Sequence, residues 1–127
     1  MADIVKRQAA LLAVTAVAAV NTAVTCTLPA PGAGLYQYIT RIRVTKLYSV
    51  VGVASGAGVT ITTTNLPGSI AFTTTQLNSA AGTAVDVVDL ELSSPLRALN
   101  ANTAVTVVCP AQLQTIWRVN VFYYTGP

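Results

Sequence analysis

Along most of this chain apolar and polar positions alternate one by one, the period of an extended strand with a single buried face. The longest such run is Tyr36 to Tyr48, YQYITRIRVTKLY, with Tyr36, Tyr38, Ile42 and Val44 on one side and Gln37, Arg41, Arg43 and Thr45 on the other. The pattern predicts a half-buried antiparallel strand with one core face and one basic surface, the strand carrying three of the chain's seven cations at Arg41, Arg43 and Lys46. Upstream, Thr22, Val24, Cys26 and Leu28 alternate with Ala23, Thr25 and Thr27, and Pro29, Pro31, Gly32 and Gly34 then break the strand. Downstream, the glycines of SVVGVASGAGVTITTT predict a hairpin turn around Ser55 to Gly58 and a strand from Val59 to Thr64. Asn65, Leu66, Pro67 and Gly68 form a turn in which Pro presets φ and Gly accepts the positive value that follows. Further strands are predicted at Ile70–Thr75, Val85–Leu92, Thr103–Cys109 and Thr115–Tyr124. A small-residue loop at Asn78–Thr83, a stop at Pro95 and a connection over Leu96–Asn100 separate them.

Two stretches echo one another. NTAVTCTLPA from Asn21 and NTAVTVVCPA from Asn102 agree at seven of ten positions, and IWRVNV from Ile116 follows the pattern of ITRIRV from Ile39, with Arg118 the counterpart of Arg41. Each copy predicts a hairpin of strand, Pro-Ala corner and strand. With the short strands between them they imply an all-β fold, an antiparallel two-sheet β-sandwich, jelly-roll-like, of about eight strands.

The first residues do not alternate. Ala9 to Val20 is almost continuously apolar behind Lys6 and Arg7, which imitates a secretory leader with small residues at Ala16 and Ala18, and its Ala and Leu content also suits a helix. The run falls short of the roughly 20 apolar residues that span a bilayer. The expectation is a loosely extended N-terminal arm over residues 1–20, a sandwich domain over 21–127, and no membrane partner.

Composition sharpens this picture. A chain of 127 residues has room for one core, and Val and Thr suit a pleated sheet. Only 9% of residues are charged against 53% hydrophobic, with mean hydropathy +0.60, so exposed apolar strands are expected to be covered in an assembly. A net charge of +3 permits an acidic partner without demanding one.

Candidate chemistry is sparse. The chain has no His, which removes the usual general base and the commonest zinc ligand and excludes Ser-His-Asp and Cys-His nucleophiles. Asp89 and Glu91 share a strand face about 6.5 Å apart and read as solvated groups that, with Asp86, could pair with arginines of a neighbour. Cys26 and Cys109 fall at inward, apolar-flanked positions and read as buried free thiols, with no CxxC to suggest metal. Gly32, Gly34, Gly56 and Gly58 lack the strand-to-helix context of a phosphate loop. No catalytic, metal or cofactor site is expected. The candidates for partner contact are the cations Lys6, Arg7, Arg41, Arg43, Lys46 and Arg118. A nucleic-acid surface built from these and Tyr36, Tyr38 and Trp117 is disfavoured, because the alternation puts the aromatics mostly opposite the arginines.

The succession NTAVTCTLPAPGAGLYQYITRIRV, TTTNLPGS, LSSPLRALNANTAVTVVCPA and IWRVNVFYY resembles small structural proteins encoded in tailed-bacteriophage genomes, from about Asn21 to Tyr124. The resemblance implies a non-enzymatic β-sandwich virion protein, foremost a capsid decoration or cement protein on the outer face of the head. Its partners would be major capsid protein subunits and copies of itself, a trimer fitting the local symmetry of a shell, with assembly in the host cytoplasm and no nucleic-acid partner. The competing expectations are a tail- or fibre-associated adhesion module and a secreted carbohydrate-binding sandwich. The second would need an exposed aromatic platform, which Trp117, in a regular strand, does not offer.

Overall fold

β-Branched side chains favour extended backbone, and the computed structural model, which describes residues 11–48, 55–76 and 80–127, is built of strands. These are β1 (Leu12–Val17), β2 (Val24–Leu28), β3 (Tyr36–Tyr48), β4 (Ser55–Thr64), β5 (Ala71–Gln76), β6 (Ala84–Arg97), β7 (Val105–Cys109) and β8 (Thr115–Gly126), with a 3-10 turn at Pro67–Ser69. They form two four-stranded antiparallel sheets, β1-β8-β3-β6 and β2-β7-β4-β5. The pairs β1/β8, β2/β7, β3/β6 and β4/β5 nest inside one another, as in one long hairpin rolled up, and that is the jelly-roll arrangement of a two-sheet sandwich.

The core lies between the sheets. Val24, Cys26, Leu28, Ile61, Val105, Val107 and Cys109 come from one side, and Ile39, Ile42, Val44, Trp117, Val119 and Val121 from the other. The segment expected to be an arm contributes to it. β1 runs along β8 from Leu12 opposite Tyr123 to Val17 opposite Arg118, and its Val14 and Ala16 pack against the core. An almost unbroken apolar run hid this alternation, because inward and outward positions are both apolar. Lys6 and Arg7 lie outside the described residues.

The echoing segments are not hairpins. β2 and β3 belong to different sheets, as do β7 and β8, so each Pro-Ala corner carries the chain across the sandwich, and the two copies pair with one another. Their asparagines lock the corners reciprocally. Asn21 (φ 62°) accepts at Oδ1 from the Gln114 N–H at 2.6 Å, and Asn102 (φ 47°) accepts at Oδ1 from the Gly32 N–H at 3.0 Å. Each asparagine also donates its own N–H across, to Thr115 O at 3.1 Å and Leu35 O at 2.8 Å. Asparagine suits both places, since it tolerates a left-handed backbone while bonding locally. Behind each corner a buried donor closes on the proline carbonyl, Gln37 Nε2 on Pro29 O at 2.9 Å and Trp117 Nε1 on Pro110 O at 3.0 Å.

Two turn expectations need correction. Ser55 to Gly58 is strand, the start of β4, with irregular pairing to β5 before Val59, and the β3–β4 connection falls at 49–54, outside the described residues. Pro95 does not end β6, which continues to Arg97. β6 is an edge strand, where a missing N–H costs no ladder bond. Gly68 does take the positive φ, 73°, expected after Pro67.

Candidate functional site

Strict alternation fails at one residue, and that residue decides what the surface is. In both β3 pairings the register passes from Ile39 to Arg41, so Thr40 is an extra residue in a bulge, its hydroxyl donating to Phe122 O at 3.0 Å. Before the bulge Gln37 and Ile39 face the core; after it Ile42, Val44, Lys46 and Tyr48 do. Tyr36 and Tyr38, expected in the core, are therefore outside with Arg41 and Arg43, and Gln37, expected outside, is buried. Lys46 is also interior, 1% exposed, and does not share the basic face of Arg41 and Arg43.

The outer face of β1-β8-β3-β6 has three zones. At one end Tyr38 stacks on Tyr124 with centroids 5.0 Å apart and planes 2° from parallel, and the Arg97 guanidinium lies 4.5 Å over Tyr36. Phe122, opposite Arg41, adjoins them. In the middle, a second irregularity at Val87 turns both Asp86 and Asp89 outward. Arg41 donates from Nε and Nη2 to the two Asp89 oxygens, each at 3.0 Å, and Arg43 Nη2 donates to Asp86 Oδ2 at 2.9 Å. Thr45 donates to Asp86 Oδ1 at 2.8 Å. These bonds hold both carboxyls below the ordinary carboxylate range, first through the arginine bonds, and Asp89 raises the pKa of Arg41. Asp86 and Asp89 thus pair with arginines of their own chain. At the far end Val17, Leu47, Ala84 and Ile116 line a shallow depression of about 490 Å3 beside Thr45 and Arg118.

The other sheet presents a different surface. Outward positions of β2-β7-β4-β5 are Thr25 and Thr27, Thr106 and Val108, Thr60, Thr62 and Thr64, and Ala71, Thr73 and Thr75. Facing hydroxyls meet at 2.7 Å between Thr64 and Thr106 and at 3.5 Å between Thr60 and Thr73. Among the described residues this face carries no charge, while the opposite face carries every charged side chain except Lys46.

Inside, Cys26 and Cys109 are free and lie diagonally across the β2/β7 pair. Burial pushes their thiols up to about 11 and about 12. No three His, Cys, Asp or Glu side chains gather around a common point among the described residues. Lys46 Nζ sits 5.0 Å from the Trp117 ring centroid and donates to Thr75 O at 3.3 Å, and desolvation lowers its pKa. Of the six candidate cations, Arg41, Arg43 and Arg118 share one face, Lys46 is interior, and Lys6 and Arg7 are outside the described residues. The sequence held a signal for Lys46, two positions after Val44 and on its side of the strand; for the aromatic zone the signal was the spacing of Ile39 and Ile42, three positions apart with polar Thr40 and Arg41 between them, which breaks the alternation at the bulge. Compared with protein-family models, curated protein sequences and solved structures, the chain matches none.

Proposed function

We propose that this chain is a non-enzymatic structural component of a virion, working as a capsid decoration (cement) protein on the outer face of a tailed-phage head. The observation that carries the proposal is the division of the surface among the described residues, with charge on one sheet and none on the other. Interface centres are depleted in charged residues, whereas a free surface usually intersperses both signs. The threonine face would lie on major capsid protein subunits and the arginine-aspartate ladder would stay in water. Four strands about 4.8 Å apart and about six residues long give roughly 400 Å2 of flat face. A specific contact takes roughly 800 Å2 per partner, so edges must add the rest. β1 and β5 are uncharged edge strands, and exposed Leu11, Leu12 and Val17 lie on or beside β1. A closed homo-oligomer such as a trimer would cover those edges. The jelly roll is shared by viral coat and lectin domains and does not by itself choose a role.

The test is co-sedimentation with expanded heads. Stoichiometric binding that raises their heat resistance is expected, and Thr25→Lys with Thr62→Lys should abolish it while the β spectrum is kept. Undiminished binding by that variant, or no binding by the natural chain, overturns the proposal. The aromatic zone favours a second reading, an adhesion or carbohydrate-binding module, because Tyr36, Tyr38 and Tyr124 offer half-buried, outward-facing rings that Trp117 does not. Glycan binding lost in Tyr38→Ala with Tyr124→Ala, without head binding, would select it.

A further inference from the structure

β5 and β6 are edge strands of opposite sheets, and between them lies a cleft of about 270 Å3. Its lining is Lys46 and Tyr48 of β3, Thr73 to Thr75 of β5, and Val85 and Val87 of β6. Lysine on that wall is chemically odd. An ammonium carries three donors, and this one, 1% exposed, has among the described residues a single carbonyl at 3.3 Å and an aromatic face at 5.0 Å. Buried charges are ordinarily paired. Here Asp86 and Asp89 are held by Arg43 and Arg41 on the far face of the sheet, and Glu91 lies on that same outer face. Cys109, the titratable group packed against Lys46 from β7, stays a neutral thiol because burial lifts it to about 12. Tyr48 supplies a hydroxyl, and the cleft residues of β5 and β6 supply no ionisable side chain.

A positive charge with no acidic partner among the described residues, beside an open space with hydroxyls on one wall and two valines on another, matches one negative charge attached to a short apolar group. We propose that the β5–β6 cleft binds a small carboxylate, paired with the Lys46 ammonium and with its apolar portion against Val85 and Val87. A single cation balances a monocarboxylate, not a phosphate dianion, and the volume is below the roughly 300–1,000 Å3 of drug-sized pockets. The carboxylate belongs either to a free acid or to a glutamate side chain of an extended segment paired along the open edge of β5. This site does not depend on a capsid role.

Butyrate and the blocked tripeptide acetyl-Thr-Glu-Thr-amide are the two probes, with butyramide as the uncharged control. At tenfold excess over its Kd, a binding probe should raise Tm by about 5 °C in the natural chain and by nothing in Lys46→Met. The Lys46 Cε resonance should move saturably with the same probe, a readout that stands even if the variant fails to fold. Butyrate binding identifies a free acid, and peptide binding alone identifies a paired strand. Binding should also fade as pH rises and the amine, whose pKa burial lowers, gives up its proton. The proposal fails if butyramide matches butyrate, if Lys46→Met shows the same rise, or if neither probe moves the Lys46 resonance.

Discussion

Replacing Lys46 with methionine should stabilise the ligand-free protein at neutral pH by about 2 kcal/mol. Taking an ammonium out of water costs several kcal/mol even after relaxation. Against that, the Trp117 ring returns about 1–2 kcal/mol and the Thr75 carbonyl, at 3.3 Å, about 1. A net cost of about 1 kcal/mol remains, and methionine, of similar length, recovers it and adds about 1 kcal/mol of apolar burial. The difference should also depend on pH with a defined sign. The folded pKa of Lys46 lies below 10.5, so between the two values the unfolded chain holds the proton more tightly and the natural protein gains stability as pH rises. The methionine advantage should therefore be full below the folded pKa and shrink as pH approaches 10.5. Urea denaturation followed by circular dichroism, run on both proteins over a pH series, reads this directly. The thiols, which also titrate at high pH, are common to both and cancel. A methionine variant less stable than the natural chain, or an advantage that does not change with pH, would refute the reasoning.

Alanine at Asn21 or Asn102 should cost about 2 kcal/mol at either site, about 1 from the left-handed backbone and about 1 from the lost side-chain bond, and glycine should cost less. Equal urea midpoints for the alanine and glycine variants would show that φ is not the issue. Asp86 and Asp89 titrate below 3.8 in the folded state, so their contribution is present above that pH and lost as pH falls through the folded values. Asp86→Asn with Asp89→Asn should flatten the acid limb of a stability-pH curve, and added salt should act in the same direction. Cys26 and Cys109 should resist an aromatic disulfide reagent at pH 8 until the protein is unfolded; native thiols reacting at the unfolded rate would contradict their burial.

The two-sheet sandwich was legible because Thr and Val alternate so regularly that inward and outward sets separate by inspection, as in Val24, Cys26 and Leu28. The echo between Asn21 and Asn102 was also visible, yet its geometry was not. A Pro-Ala corner within a sheet and one between sheets have the same letters, and only the partner strand distinguishes them. The surface was misjudged for a single cause. Thr40 occupies an unpaired place in β3, so side chains before it were assigned to the wrong face, Tyr36 and Tyr38 with them. Arg41 and Arg43 were rightly placed outward, but the offset at Val87 that hands them Asp89 and Asp86 lies in another strand.

β8 leaves the ribosome after the other described strands, and it is flanked on both sides, by β1 and β3. Until residues 115–126 are available, β1 lacks its neighbour among the described strands, and one layer of the molecule has a gap through its middle. Folding of this domain must then wait for residues 115–126 and for segments more than a hundred residues apart, such as Leu12 and Tyr123, to meet, a slow search for a domain of this size. During that delay the nascent chain offers bare apolar ribbons to its neighbours. Loss of even a few residues of β8 should thus yield insoluble material at high expression rates, while a comparable loss from an outer strand would leave a foldable remainder.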